Sequence, residues 1–286
     1  MISQGDISPE VINQLAYHPW GSNIPPDDAH QLALTATERL DDPGRIVPFV
    51  AYYLMETKEA IPLFHSLVLE HLLTTPSTVK SVRATDDWAW GQLAELYVGA
   101  APLDVAKATM AKLTTGVFTQ DNSSAQVLRH AWEVSDKRQF FEKVIAPHIE
   151  SGGSWMWRFD EAIGHFPLAE LGVEYLMQWV DVDPEKRAYG LAAAVGPPMD
   201  QFSDLQAALL ELYDEYGVGS VFSSEFMSGA WSGPASTWYR GKLDRASNWL
   251  TDPRPAVREW AKIVVRSIEE AIKRSEDHEA EMRFWE

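Results

Sequence analysis

The chain contains no cysteine. Disulfides and thiolate metal sites are therefore excluded, and a reducing compartment is expected. Long apolar runs are missing too. GLAAAVG (190–196) is the plainest one, far short of the ~18 apolar residues of a membrane span. The first residues, MISQGDISPEV, show neither a basic stretch nor an apolar run, so no signal or transit peptide is read there. A cytoplasmic location without membrane association follows as the expectation. Strand-type alternation is absent over any useful length, which points to an all-α fold. Neither G-x-x-x-x-G-K-[ST] nor G-x-G-x-x-G occurs, and there is no H-E-x-x-H.

Positive charge is scarce. Lys and Arg number 24 against 42 Asp and Glu, a net charge of −18 over 286 residues. The excess is concentrated between Asp160 and Glu225, where 13 acidic residues face only Lys186 and Arg187. From Arg240 to the end, ten basic groups balance ten acidic ones. A protein that grips nucleic-acid phosphates shows the opposite balance, so no direct nucleic-acid binding is expected. The acidity serves solubility, or it forms a docking face for a protein partner with a basic surface.

Helical periods fill most of the chain. They are predicted at 27–40, 43–56, 58–73, 86–98, 102–114, 122–134 and 136–150, then at 167–180, 184–195, 201–216, 235–250 and 254–282. Turn signals such as Asp41-Asp42-Pro43-Gly44 and Thr74-Thr75-Pro76-Ser77 separate them. A Gly-rich joint, SGGSWMWRF, follows Glu150. The expected organisation is an N-terminal helical array over 1–150 and a C-terminal one over 151–286, continuous with the first. KRSEDHEAEMRFWE loses the apolar period and reads as a protruding or frayed end.

The segment 252–272, DPRPAVREWAKIVVRSIEEAI, is the most informative. Val257, Trp260, Ala261, Val264, Ile268, Ala271 and Ile272 recur at three- and four-residue steps, one apolar stripe on a helix. Asp252 is a candidate cap, Pro253 suits a first turn, and Arg258 should reach the neighbouring repeat. The order Asp-Pro, a short gap, Val-Arg, an aromatic and Ala resembles the second helix of a HEAT-type repeat. LMQWVDVDPEKRAYGLAAAVG (176–196) follows the same plan. DDPGRIVPFVAYYLM (41–55) keeps the Asp-Pro and lacks the Val-Arg pair. The region from Phe222 to Ala261 also resembles the end of bacterial helical-repeat regions, where a Trp-Ser-Gly loop precedes a terminal HEAT-like pair. These resemblances imply an α-solenoid of antiparallel helix pairs with degenerate repeats. They further imply a scaffold, adaptor or sensor module that binds a protein and has no assigned catalytic residue.

Candidate chemistry is sparse. The loop SGAWSGPASTW (228–238) sets Gly229, Gly233 and Pro234 between Trp231 and Trp238. Trp231 either plugs the core or, with Trp238, forms a binding loop; Ser232 and Ser236 lie outside any nucleophile motif. Twelve tryptophans are many, and close pairs such as Trp88/Trp90, two apart on a helix, should leave one member exposed. Glu161 and His165 are only two potential metal ligands, and Asp181 and Asp183 lack the rest of a calcium loop. Asp183 reads as a cap before Pro184, and Asp86 and Asp87 suit a helix start. No cofactor, metal or catalytic residue is assigned. The binding candidates are Trp231, Trp238, Glu211, Asp214 and Glu215. The three carboxylates follow the stripe Leu205, Ala208, Leu209, Leu212 and should be removable without touching the core. A non-catalytic protein-binding module is favoured. An acidic inhibitor or immunity protein that masks a toxin or nuclease is the alternative. A HEAT-like DNA-base glycosylase is disfavoured by charge.

Overall fold

The computed structural model describes residues 24–39, 43–74, 84–115, 122–151 and 168–284. Every regular element among them is helical and none is a strand, so the protein is all-α there. The expected helix before Tyr17, the 152–167 joint with Trp155, Trp157, Glu161 and His165, and the terminal Trp285 lie outside the described residues. So do the side chains of Asp86, Asp87 and Phe284. The chain divides into two compact units, 1–147 with 161–163 and 148–160 with 164–286.

The first unit contains α1 (Pro26–Arg39), α2 (Val47–Glu56), α3 (Ala84–Val98), α4 (Pro102–Thr115), α5 (Asn122–Val134) and α6 (Lys137–Phe140). A π-helical turn, Phe141–Ile145, leads from α6 into α7 (Ala146–Glu150), and the division of the chain falls after Pro147. Asp27 and Asp28 open α1 and Arg39 closes it, each placed favourably in the helix dipole. Almost all of α2 is buried, from Val47 to Ala51 and again at Tyr53 and Leu54. Its Tyr53 hydroxyl donates to the Ile24 carbonyl at 3.1 Å, and the Tyr97 hydroxyl of α3 donates to that of Ile61 at 2.7 Å. Both phenols are thus buried with a partner, as buried polar groups require, and burial raises both pKa values. The helix expected over 58–73 is instead broken. A 3-10 turn at Lys58–Ala60 and a π-helical stretch at Leu67–Leu72 flank Pro62, whose missing N–H interrupts a regular ladder. Trp88 is exposed beside Tyr52, while Trp90 is buried with the Lys112 ammonium 4.2 Å from its ring centre.

The second unit carries α8 (Val173–Asp181), α9 (Pro184–Val195), α10 (Asp204–Tyr213), α11 (Val218–Met227), α12 (Ala235–Asn248) and α13 (Pro255–Phe284). Sequence reasoning missed α11. Gly217, Gly219 and the Ser223-Ser224 pair lower its intrinsic helix propensity, so tertiary support decides. Gly217 enters at φ +86°, and the Asp214 carboxylate accepts the Gly219 N–H at 2.8 Å. A Cβ on Gly219 would stand 2.5 Å from Asp214 Oδ1 and 2.9 Å from the Trp260 ring, so only glycine fits. Before α10, Ser203 and Gln206 form a reciprocal capping box. Arg187 of α9 donates to Glu150 at 2.8 Å and to the Trp179 carbonyl at 2.6 Å while lying over the Trp179 ring. Asp183 occupies the N-cap position, but its carboxylate engages the Lys186 side chain at 3.0 Å. That hydrogen bond holds the Asp183 carboxyl below its ordinary pKa.

Four rings make the centre of this unit. Phe202 meets Trp260 edge-on at 5.2 Å and Trp249 at 5.7 Å, and the two indoles are 5.4 Å apart; Phe222 also abuts Trp260. Both indole N–H groups are satisfied, Trp249 by the Asp200 carbonyl at 3.1 Å and Trp260 by that of Gly219 at 2.9 Å. Tryptophan is tolerated in a core on that condition. Along α13, Val257, Trp260, Ala261, Val264, Ile268 and Ala271 are buried, and the helix packs on α12 and α10. The stripe read from the sequence is therefore the packed face.

Three details at the start of α13 correct the expectations. The helix starts at Pro255, so the proline that suits the first turn is Pro255 rather than Pro253. Asp252 folds back instead onto Arg254, accepting its backbone N–H at 2.9 Å and its guanidinium at 2.8 Å. It is Arg254 that reaches a neighbouring segment, through the Phe202 carbonyl at 3.1 Å, whereas Arg258 satisfies the carbonyls of Asp252 and Pro253 just before its own helix. The predicted helix over 254–282 is present and runs to Phe284, so of the two readings of the last stretch the helical one holds. Glu276 pairs with Arg240, and Glu279 accepts both the backbone N–H (3.0 Å) and the hydroxyl (2.8 Å) of Ser236. Polar contacts replace the apolar stripe there.

The Asp252 turn gives a pH-dependent expectation. The Arg254 side chain holds the Asp252 carboxyl below its ordinary pKa. A depressed carboxyl stabilises the fold above the unfolded value, about 3.9, and that contribution is lost as pH falls through the folded value. Asp252→Ala should cost about 1–2 kcal/mol near neutrality, the loss of the charge-assisted hydrogen bonds that it accepts from Arg254. Urea melts at pH 7 and pH 3 check this: the deficit should shrink at pH 3, and an equal deficit at both would refute the charge-linked role.

Candidate functional site

Trp231 and Trp238, paired in the sequence by a glycine-rich loop, are stacked in space at 4.9 Å and 27°. The loop before α12 makes this possible. Gly229 (φ +135°) and Gly233 (φ +87°) adopt backbone conformations that other residues rarely take, which folds Trp231 back onto the first turn of α12. Trp231 is 49% exposed, so it does not plug the core. Tyr239 packs edge-on against Trp238 at 4.8 Å and lies 6.5 Å from Trp231. Lys242 lies under the group, its ammonium 4.9 Å from the Trp238 ring centre and 4.7 Å from that of Phe226. Burial, followed by the nearby Arg245, lowers the Lys242 pKa. Sequence reasoning passed over Tyr239 and Lys242, although Lys242 is one turn beyond Trp238 and so shares its face. Ser236 is buried and held by Glu279, which accounts for its hydroxyl.

The three candidate carboxylates do not behave alike. Glu211 and Glu215 are exposed, one on α10 and one in the turn that follows. Asp214 is engaged by the Gly219 N–H, so it supports α11 and cannot be removed without structural cost. The stripe beneath them is rotated from the expected one. Leu205, Leu209, Leu210 and Tyr213 are buried, and Leu212 is 56% exposed. Tyr213 donates to Asp181 at 2.6 Å, and burial followed by that carboxylate pushes the phenol up to about 12.

Around the turn, Glu215 and Glu185 both act on Tyr216. Glu215, first of all, raises its phenol pKa, with burial and Glu185 adding to the effect. Tyr189 is exposed, and its ring sits against Gly217. Glu185 and Glu215 thus lie near Tyr216, with exposed Tyr189 against Gly217 and exposed Glu211 and Leu212 on the preceding helix. No hydrogen bond, ion pair or ring contact among the described residues joins these groups to Trp231 or Trp238. The structure therefore offers two separate places, one acidic and one aromatic.

No group of three or more His, Asp or Glu among the described residues could hold a metal ion. No described helix is long and apolar enough to cross a membrane. No protein family, curated protein or solved structure matches this chain.

Proposed function

We propose that this protein is a non-catalytic helical-repeat module, a scaffold, adaptor or sensor, that binds a protein partner with a basic surface through the acidic face of its C-terminal unit. The observation that carries this reading is the mixed patch at Glu185, Glu211 and Glu215. Exposed Tyr189 and Leu212 accompany carboxylates of which Glu211 and Glu215 form no ion pair among the described residues, while Glu185 acts on the neighbouring Lys186. Charge of one sign steers encounter, and partly exposed aromatic and aliphatic groups then supply the desolvated contact. A HEAT-like solenoid suits such a role because stacked helix pairs present one long face. In its support, the contacts Ser236–Glu279 and Arg240–Glu276 run in opposed order, as in an antiparallel helix pair.

A photo-cross-linking residue at position 212 tests the reading in a native lysate. A basic protein should be captured, and Glu185→Gln/Glu211→Gln/Glu215→Gln should slow its association by about tenfold at low salt. The difference should fade as salt rises, because exposed charge is screened within about 10 Å at 0.1 M. Thermal stability should hardly change, since exposed charges contribute little. Asp214 is left in place because it is structural. A partner whose association ignores both salt and the triple substitution would refute the acidic docking face. Loss of the captured protein's own activity on binding would mark this chain as an inhibitor.

A further inference from the structure

The packed face of α13 changes character part-way along the helix. From Val257 to Ala271 it is buried and apolar. Between Ile272 and Met282 no residue is buried. The helical step continues through Ile272, Ser275 and Glu279, which are half-buried, while Lys273, Arg274, Glu276 and His278 around them are exposed. A hydroxyl and a carboxylate thus take the places that Val264 and Ile268 hold earlier on the same face. Packing is incomplete there, because an open depression of about 290 Å³ is lined by Tyr239 of α12 and by Ala271, Arg274, Ser275 and His278 of α13. Two carboxylates of this segment reach the first turns of α12. The N-cap position of α12 is Pro234, which provides no side-chain cap. Glu279 provides one from 43 residues away, accepting the Ser236 N–H at 3.0 Å and its hydroxyl at 2.8 Å. Its negative charge stands at the favourable end of the α12 dipole. One turn further on, Arg240 pairs with Glu276.

We propose that residues 272–284 form a strap, latched to the first turns of α12 by Glu279 and Glu276, that opens without unfolding the rest of the unit and thereby enlarges the aromatic face around Trp231. The hinge is Ala271, the last buried residue of α13. Opening exposes no fully buried side chain between Ile272 and Met282, so the hydrophobic penalty is small. The Arg240–Glu276 pair is about half exposed on both sides and holds weakly. Glu279 is the stronger latch, because a carboxylate that accepts two hydrogen bonds, one of them from a helix-terminal N–H, is charge-assisted. A released strap frays, since a helical segment of about a dozen residues is marginal without packing. Elements that open locally at low cost are the ones from which moving parts are drawn. The consequence falls on Tyr239, which lines the depression and packs edge-on against Trp238 at 4.8 Å. Trp238 in turn stacks on half-exposed Trp231. With the strap away, Tyr239 joins the surface that Trp231 already presents.

Thiol labelling of the full chain tests the proposal. The chain has no cysteine, so Ser275→Cys gives a unique thiol on the inner side of the strap. Its rate of reaction with a maleimide should rise about tenfold when Glu276→Ala and Glu279→Ala are added, the factor that one charge-assisted hydrogen bond controls. Alanine keeps the helix propensity high, so the change reads the latch and not the helix. Glu279→Gln in place of alanine should restore part of the protection, because its amide oxygen still accepts from Ser236. Hydrogen exchange localises the opening. Amides of 273–282 should exchange about tenfold or more faster than those of 257–271. The double substitution should speed the first group further and leave the second group and the melting temperature unchanged. Binding of the neutral dye Nile red should increase with the double substitution, and Trp231→Ala should suppress the increase. The strap is overturned if labelling ignores the double substitution, if 273–282 is as protected as 257–271, or if exchange quickens along the whole helix. An unchanged dye signal in the labelled-open variant would overturn the link to the aromatic face.

Discussion

Trp260→Ala should destabilise the C-terminal unit by about 3–5 kcal/mol, the range for emptying a buried tryptophan site. The ring is 4% exposed and is enclosed by Phe202, Phe222 and Trp249. Its N–H is also the donor to the Gly219 carbonyl in the first turn of α11. Removing it therefore opens a cavity and leaves the Gly219 carbonyl with the Ser223 hydroxyl (2.6 Å) but without its indole donor, at a helix that has little propensity of its own. Trp260→Phe separates the two effects. It keeps a ring in the cluster and should cost roughly 1–3 kcal/mol, the loss of the hydrogen bond with a partial cavity. Urea unfolding followed by circular dichroism at 222 nm measures both. A cost below about 1 kcal/mol for the alanine variant would mean that the four-ring cluster is not the centre of this unit.

Val264→Asp should cost several kcal/mol, because it places a carboxylate in the seam between α13 and α12. Val264 is 1% exposed, and its neighbours on the stripe, Ala261 and Ile268, are fully buried. The substituted acid would stand among apolar neighbours on the stripe, so it must either force the helices apart or take up a proton. The second route makes the defect milder at low pH, since a buried carboxyl has its pKa raised and folding then favours the protonated form. Ile263→Asp is the matched control. Residue 263 is adjacent in sequence but 64% exposed, and the change should stay within about 0.5 kcal/mol. Equal melting temperatures for the two variants would show that the packed face had been misassigned.

The α13 stripe was legible because each side chain on it is apolar and the spacing matches a helix turn. The same logic failed at two places, each for a physical reason. Gly217, Gly219 and two serines hide α11, which forms because Asp214 accepts the Gly219 N–H and Trp260 packs beneath it. On α10 the buried face includes Leu210 and Tyr213 rather than Leu212, because Leu209, Leu210 and Leu212 fit more than one stripe and only the neighbours choose. In the candidate sites, the Trp231–Trp238 pairing was suggested by the loop that joins them.

Composition and periodicity determined by themselves that this chain is helical, strongly acidic between residues 160 and 225, without thiol chemistry, and possessed of a terminal helix with one packed face. These are local properties: spacing along a helix and the count of charges do not depend on which elements meet. Tertiary structure alone decided which carboxylates are exposed and which hold the fold, and that Trp231 is a half-exposed platform stacked on Trp238. Each of these depends on residues far apart in sequence brought within a few ångströms, and burial and hydrogen bonding, which set the role of a side chain, exist only once those neighbours are in place.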